Sequence, residues 1–308
     1  MMRVSTASTY STMLANLTRA QARQNEAGTQ VASEKNATDL KGYARQAEVL
    51  TAMRGVQTKV AGFLEQTAQL TGRLDMQEIA LTRSADSIQG ARTAIADALA
   101  ADNGETLSQA LSGFFSDAAA ALNTRHDGRY LFAGGQSDIA PVASLSLASL
   151  ASPATVADQF RNDDMVLSNR LDETSTMDTG FLASELGDTL FTTMKAIRDY
   201  TDANGDFGSP LTDAQKTFLT TQLGQFDVAV DELTTATARN GLMQKRLESA
   251  REDLNGRAAT LTNLIGGITD VDMPEAISRL QAAQVSVQAA AQVFQSLSGS
   301  TLLNILQS

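Results

Sequence analysis

Between Leu219 and Ile268 the apolar residues recur at alternating steps of four and three: Leu219, Leu223, Phe226, Val230 and Leu233, then Leu247, Leu254, Ala258, Leu261, Ile265 and Ile268. Such steps average about 3.5 residues, the period that keeps a seam facing a partner helix in a coiled coil. Thr237, Asn240, Gln244 and Arg251 hold seam positions midway, so the pattern predicts a long helix whose seam turns polar. A helix with so narrow a stripe draws its stability from the face it buries, which demands a long partner. Residues 44–101 supply one. There Met53, Val60, Leu74, Leu81, Ile88 and Ile95 share a seven-residue ladder with Thr67 in its gap, and Leu50, Leu64, Ala85 and Leu99 take the second seam position.

Around this pair the pattern thins. Residues 5–34 predict a helix carrying only Tyr10, Met13, Leu14, Leu17 and Val31, with turn formers over 35–42. At about 25 cal/mol per Å² of buried apolar surface, so thin a stripe does not offset the ordering of its residues. A turn at Asp102-Asn103-Gly104 leads to a helix over 105–123 with Leu107, Leu111, Phe114, Phe115 and Leu122. In the stretch that follows, Gly128 suits a helix C-cap, residues 130–132 a short strand, and Gly134-Gly135 a turn. Helical periodicity is absent over 136–179, where a hairpin over 165–171 and 173–177 fits. Helix resumes at 183–200, and Thr212 with Gln215 forms a capping box for the long helix. Gly266-Gly267 is expected to stop that helix. Asp272, Pro274 and Glu275 then start a last one bearing Ile277, Leu280, Val287, Ala291, Phe294 and Leu297. The predicted fold is mainly α: a long antiparallel coiled-coil bundle made by the two halves of the chain, with a small β-containing insertion between them.

Composition narrows the function classes. A net charge of −11 and a pI near 4.6 argue against nucleic acid and anionic membrane surfaces as partners. With 0 Cys there is no disulfide, zinc-thiolate site or cysteine nucleophile. The first residues lack an apolar core, so no cleaved secretory signal is expected, and no run approaches the ~18 apolar residues of a membrane span. His126, the only histidine, reads as a solvated turn residue without a nucleophile beside it, so no catalytic residues, cofactor or metal are assigned. Asp202, Asn204, Asp206 and Asp213 fall at calcium-loop positions one, three, five and twelve, although Phe207 stands where Gly is usual. A calcium-binding helical module is therefore a reading from another class. Neither Gly-Gly doublet is followed by the Lys-Ser/Thr of a phosphate loop.

The two chain ends resemble the flagellin superfamily. Met2-Arg3-Val4-Ser5-Thr6 and Gln30-Val31-Ala32-Ser33-Glu34-Lys35 are similar to its opening helix and following turn, with Glu34 where the family usually has Gly. Ala238-Arg239-Asn240-Gly241 with Gln244, Arg246 and Leu247 resembles its C-terminal long-helix signature, and residues 270–276 the start of its last helix. Gly128-Arg129-Tyr130-Leu131-Phe132-Ala133-Gly134-Gly135 is similar to the superfamily's hook–filament junction members. The resemblance implies a structural, non-enzymatic protein, exported through the flagellar apparatus to the extracellular flagellum, with an export chaperone as partner. It implies self-association in a ring, with a hook-associated protein on one side and filament subunits on the other. Filament flagellin is the nearest alternative. Five segments follow: 1–42 an N-terminal assembly helix, 43–135 and 181–268 the two halves of the long-helix bundle, 136–180 an inserted variable domain, and 269–308 a C-terminal assembly helix. The expected assembly residues are Leu14, Leu17, Arg239, Asn240, Ile277, Leu280, Val287, Phe294 and Leu297. Arg239 and Asn240 are chosen because the polar break suits a meeting with another subunit.

Overall fold

The seven-residue pattern produces helices nearly end to end. A computed structural model describes the backbone of residues 2–151 and 154–306, and the side-chain surroundings of residues 8, 10–151 and 154–296. In chain order it holds helix α1 (Met2–Ser33), a 3-10 turn (Leu40–Gln46), α2 (Ala47–Ala101) and α3 (Leu107–Leu122). Strands β1 (Arg125–His126) and β2 (Arg129–Tyr130), two short 3-10 turns, and β3 (Ser168–Arg170) with β4 (Thr176–Asp178) follow. The chain closes with α4 (Ala183–Asn204), α5 (Asp213–Thr269) and α6 (Met273–Leu306). The fold is the expected mainly-α bundle with a small β-containing middle. It divides into two units, Val60–Asn255 and the two chain ends, Met1–Lys59 with Gly256–Ser308.

In the Val60–Asn255 unit α2 and α5 run antiparallel. Arg251 reaches Thr71 (3.5 Å) and Asn240 donates to the Leu74 carbonyl (3.0 Å); further along, Arg92 bonds Asp227 and Lys216 lies 2.9 Å from Asp102. Every position of the 219–254 seam is buried or half-buried, the polar four included. The second ladder on α2 differs from the expected one. Leu70, Gln77, Ser84, Ala91 and Ala98 are the buried positions, while Ala85 and Leu99, one step on, are half-buried. The cause is a second neighbour: Phe114 of α3 lies so close to Gly90 that an added Cβ would sit 2.4 Å from its ring. A helix packed on two sides needs a broad face, and small residues let the extra helix approach.

The aromatic centre of this unit lies where α3, α4 and the insertion meet. Phe115 and Phe160 each pack on Phe191 with ring centroids 4.8 Å apart, and Phe115 and Phe191 are wholly buried. The capping box at the start of α5 forms as expected, with Gln215 N–H donating to Thr212 Oγ1 (3.2 Å) and Thr212 N–H to Gln215 Oε1 (3.0 Å).

The unit made of the chain ends has a leaner interior. α1 and α6 pack antiparallel, with Tyr10 near Phe294 (centroids 5.1 Å apart) and Gly28 near Leu280. Their seam is built largely of small residues, Ala20, Ala27, Ala276 and Ala283 being buried. Asp272 caps α6 by accepting from Glu275 N–H (3.2 Å). Contrary to expectation, α5 continues past Gly266-Gly267 to Thr269. A Cβ on Gly266 would meet an Asp270 carboxylate oxygen at 2.9 Å, so the glycine makes room for a side chain that bonds Lys35 and Thr269.

Truncating the aromatic centre leaves a large cavity, so Phe115→Ala should lower stability by about 3–5 kcal/mol. Leu14→Ala, at a site 48% exposed, should stay within about 0.5 kcal/mol. Urea unfolding of both variants checks the contrast; equal losses would mean that the stability is not concentrated around Phe115.

Candidate assembly sites

The Gly128–Gly135 stretch is a clasp rather than a helix end. α3 stops at Leu122 with Asn123 as its cap, five residues before Gly128. Asp127 (φ 50°) and Gly128 (φ 78°) instead form the two-residue turn between β1 and β2, where His126 pairs with Arg129. Both turn residues need positive φ, which Asp-Gly supplies, and the dipeptide is a hairpin signal that sequence reasoning overlooked. Only Arg129 and Tyr130 form the paired strand. Leu131 donates on to the Thr124 carbonyl (3.1 Å), and the Phe132 carbonyl accepts from Ala183 N–H (2.9 Å), tying the motif to the start of α4. Leu131 and Phe132 are buried anchors. Gly134 (φ 65°) leaves no space for a Cβ, which would meet Asp163 Oδ1 at 2.2 Å, and that same oxygen accepts from Gly135 N–H at 2.8 Å.

Beside the clasp is an open cavity of about 550 Å³ lined by Gln69, Arg73, His126, Arg129, Tyr130 and Met165, among others. His126 is more enclosed than a solvated turn residue. Its side chain is 26% exposed, rests against Gly72, and holds Nε2 3.3 Å from Asp127 Oδ2. The Arg73 guanidinium is pushed below its ordinary pKa by burial and by the nearby charge of Arg129. Arg125 stacks over the Tyr130 ring, 4.2 Å from its centroid. Arg73 lies 55 residues from the motif it faces, which is why no local signal announced it.

The polar break in α5 serves the chain's own seam. Asn240 is fully buried against Leu74 of α2, so its side chain has no surface to offer another subunit. Among the described residues its Oδ1 finds no hydrogen-bond partner, and neither do Gln77 Oε1, Ser84 Oγ and Arg251 Nε along the same pair of helices. Gln244 spans to Asp75 (3.2 Å) and Glu78 (2.9 Å). Arg239 is exposed, with its guanidinium 5.3 Å from the Phe181 ring centre.

The remaining residues expected to serve assembly lie on α1 and α6. Leu17, Leu280, Val287 and Phe294 are half-buried along the facing seams, while Leu14 (48%) and Ile277 (43%) are exposed. The side chain of Leu297 lies outside the described residues. Glu34, in the position where the resemblance leads one to expect Gly, ends α1 at φ 56°, a left-handed conformation that L side chains resist. Its carbonyl accepts from Val271 N–H (3.1 Å), and Asn36 N–H donates to the Thr269 carbonyl (2.7 Å), joining the end of α1 to the α5–α6 corner. Lys35 bonds Asp270 there, and with Thr269 it holds the Asp270 carboxyl below the usual carboxylate range.

The calcium-loop residues are not brought together. Asp202 and Asn204 remain helical within α4, Asp202 pairs with Arg198 at 2.6 Å, and Asp213 opens α5. Phe207 is buried and stacked on Tyr200, turning the loop inward where a calcium loop would wrap an ion. Among the described residues no three acidic or histidine side chains are placed to hold a metal.

Residues 223–306 match the bacterial flagellin C-terminal helical region. A Vibrio parahaemolyticus protein provisionally assigned as flagellar hook-associated shares the fold at 17% identity and a TM-score of 0.60, over 73% of this chain and 97% of that one. Bacillus cereus FlgL does so at 16% identity and a TM-score of 0.55, over 70% of this chain and 99% of its own. No curated protein matches the chain. The C-terminal stretch is thus similar to a flagellin helical region, and the chain shares its fold with these two structures.

Two predictions concern the α1–α6 corner. Glu34→Gly should raise stability by about 1 kcal/mol, because it removes a left-handed side-chain penalty; calorimetry reads the shift, and an unchanged or lower midpoint contradicts it. Because the folded state depresses the Asp270 pKa, its contribution is present above the ordinary carboxylate range and lost as pH falls through the depressed value. Exchange at the Asn36 amide should therefore stay constant from neutral pH down to that range and speed up, relative to its intrinsic rate, below it. Asp270→Asn should show the faster exchange already at neutral pH, and an unaltered Asn36 amide in that variant refutes the link.

Proposed function

We propose that this chain is the junction subunit between hook and filament, a FlgL-like protein exported through the flagellar apparatus and assembled outside the cell. The observation that carries the reading is the state of the terminal helix pair. Its seam is thin, and Leu14, Ile277, Val285 and Val293 remain exposed. Residues 280–308 contain no charged residue at all. An uncharged helical surface studded with exposed apolar residues suits coverage by other subunits better than by water. Segments 1–42 and 269–308 are the assembly helices in this reading. Leu14 and Ile277 face neighbouring subunits, while Leu17, Leu280, Val287 and Phe294 hold the pair together.

The partners are copies of the chain in a ring, a hook-associated protein on the hook side, filament subunits on the other, and a chaperone during export. The resemblance of Gly128–Gly135 to junction members favours this over filament flagellin. The match of 223–306 to a flagellin region keeps the filament reading as the second one. Segment 136–180, read as an inserted variable domain, is held to the bundle by two-way bonds between Asn123 and Val142 (3.0 and 2.9 Å).

Hydrogen exchange of the full-length monomer should be fast over 1–40 and 270–308 and become protected in isolated hook–filament complexes. Strong protection of both ends in the monomer would argue for a self-contained bundle and against assembly-driven ordering. Long filaments formed by the purified chain alone would favour the flagellin reading.

A further inference from the structure

Two recesses of opposite net charge occur in the Val60–Asn255 unit, each holding charged side chains that make no ion pair among the described residues. The cavity beside the clasp presents Arg73 and Arg129. Among the described residues Arg73 bonds only the Leu131 carbonyl, at 3.3 Å, and its buried Nε finds no partner. Arg129 is exposed and, among the described residues, has no ion pair. Asp127 also lines the cavity but pairs with His126 (3.3 Å), so two neighbouring guanidiniums keep no ion pair among the described residues in a chain with 35 acidic and 24 basic residues. The low charge-stabilisation of Arg73 has the same origin, since burial and Arg129 both disfavour its cation.

The second recess, about 440 Å³, lies between α4 and α5 and presents Glu185, Asp231 and Glu232. Glu232 accepts from the Thr189 hydroxyl at 3.0 Å; Glu185 and Asp231 are exposed and, among the described residues, make no ion pair. Arg239 borders this recess but lies over the Phe181 ring. Each recess also shows an apolar lip, Met165 (58% exposed) at the basic one and Val228 (46%) at the acidic one. The two cannot satisfy each other in one chain. Asn240 meets α2 at Leu74, and Asp231 lies nine residues, or about 14 Å, further along α5.

We infer that the Arg73–Arg129 cavity receives the Glu185–Asp231 edge of a second copy of this chain, a head-to-tail contact of unlike surfaces. A contact between two different patches leaves each copy with a free end of either kind, so it propagates into a ring or a helical array. It rests on the self-association in the proposed function and names the surfaces that carry it. Enclosing the pair in the cavity matters, because a solvent-exposed ion pair alone contributes little.

The absence of native cysteine makes the test direct. Arg129→Cys and Asp231→Cys are placed in separate full-length copies, mixed, and oxidised. A mixed dimer should form, and far less cross-linking should occur in either copy alone or with Asp86→Cys in place of Asp231→Cys. In sedimentation equilibrium Arg129→Asp and Asp231→Arg should each weaken self-association by about tenfold, and the double reversal should restore it. Association of the unaltered chain should also weaken with added salt. Circular dichroism of each variant shows that the helices persist, both sites being exposed. Self-association that persists with no mixed cross-link and no response to charge reversal overturns this contact and leaves the junction reading standing. A chain that does not self-associate under any condition overturns both.

Discussion

The antiparallel register of α2 against α5 is the constraint from which the rest follows. Once Asn240 bonds the Leu74 carbonyl and Asp227 meets Arg92, every later contact of the Val60–Asn255 unit has its level along the helices set. A slip by one heptad would keep the apolar periodicity but separate these polar partners. It would also leave more than the present unpaired atoms of Gln77, Ser84, Asn240 and Arg251 buried without company. Buried polar groups in a coiled-coil seam lower stability while fixing register, and these helices accept that exchange at several levels.

The two units use different physics. Around Phe115, Phe132 and Phe191, large side chains meet from helices and insertion together and exclude water over a wide area. Along α1 and α6 the seam is mainly alanine, so each level buries little and the helices rely on length. The apolar residues that would widen such a seam, Leu14, Ile277 and Val285, point outward instead.

The clasp of residues 128–135 links local chemistry to the wider fold. Its positive-φ turn and two glycines permit a backbone path that delivers Leu131 and Phe132 into the core and grips Asp163 of the insertion. The same path leaves Arg129 outside, across from Arg73. A stretch recognisable by sequence as a motif therefore has two faces, one holding the fold and one open to solvent.

The sequence by itself determined the six long helical segments, the seam of α5, the capping residues Thr212 and Asp272, and the pairing of terminal with terminal and long with long helix. These depend on period and on side chains within one turn of each other, which a linear reading can see. Only the tertiary structure decided that Gln77 and Ser84 join the buried face of α2, because the demand comes from neighbours on a second side, Gln77 donating to the Thr179 carbonyl (3.1 Å). It alone decided that α5 crosses Gly266-Gly267, since the compensating bond is donated to Asp270 by Lys35, distant in sequence. The left-handed turn at Glu34 has the same explanation, as does the meeting of Arg73 with Arg129. In each case the deciding partner lies far along the chain, and its energy outweighs the local preference.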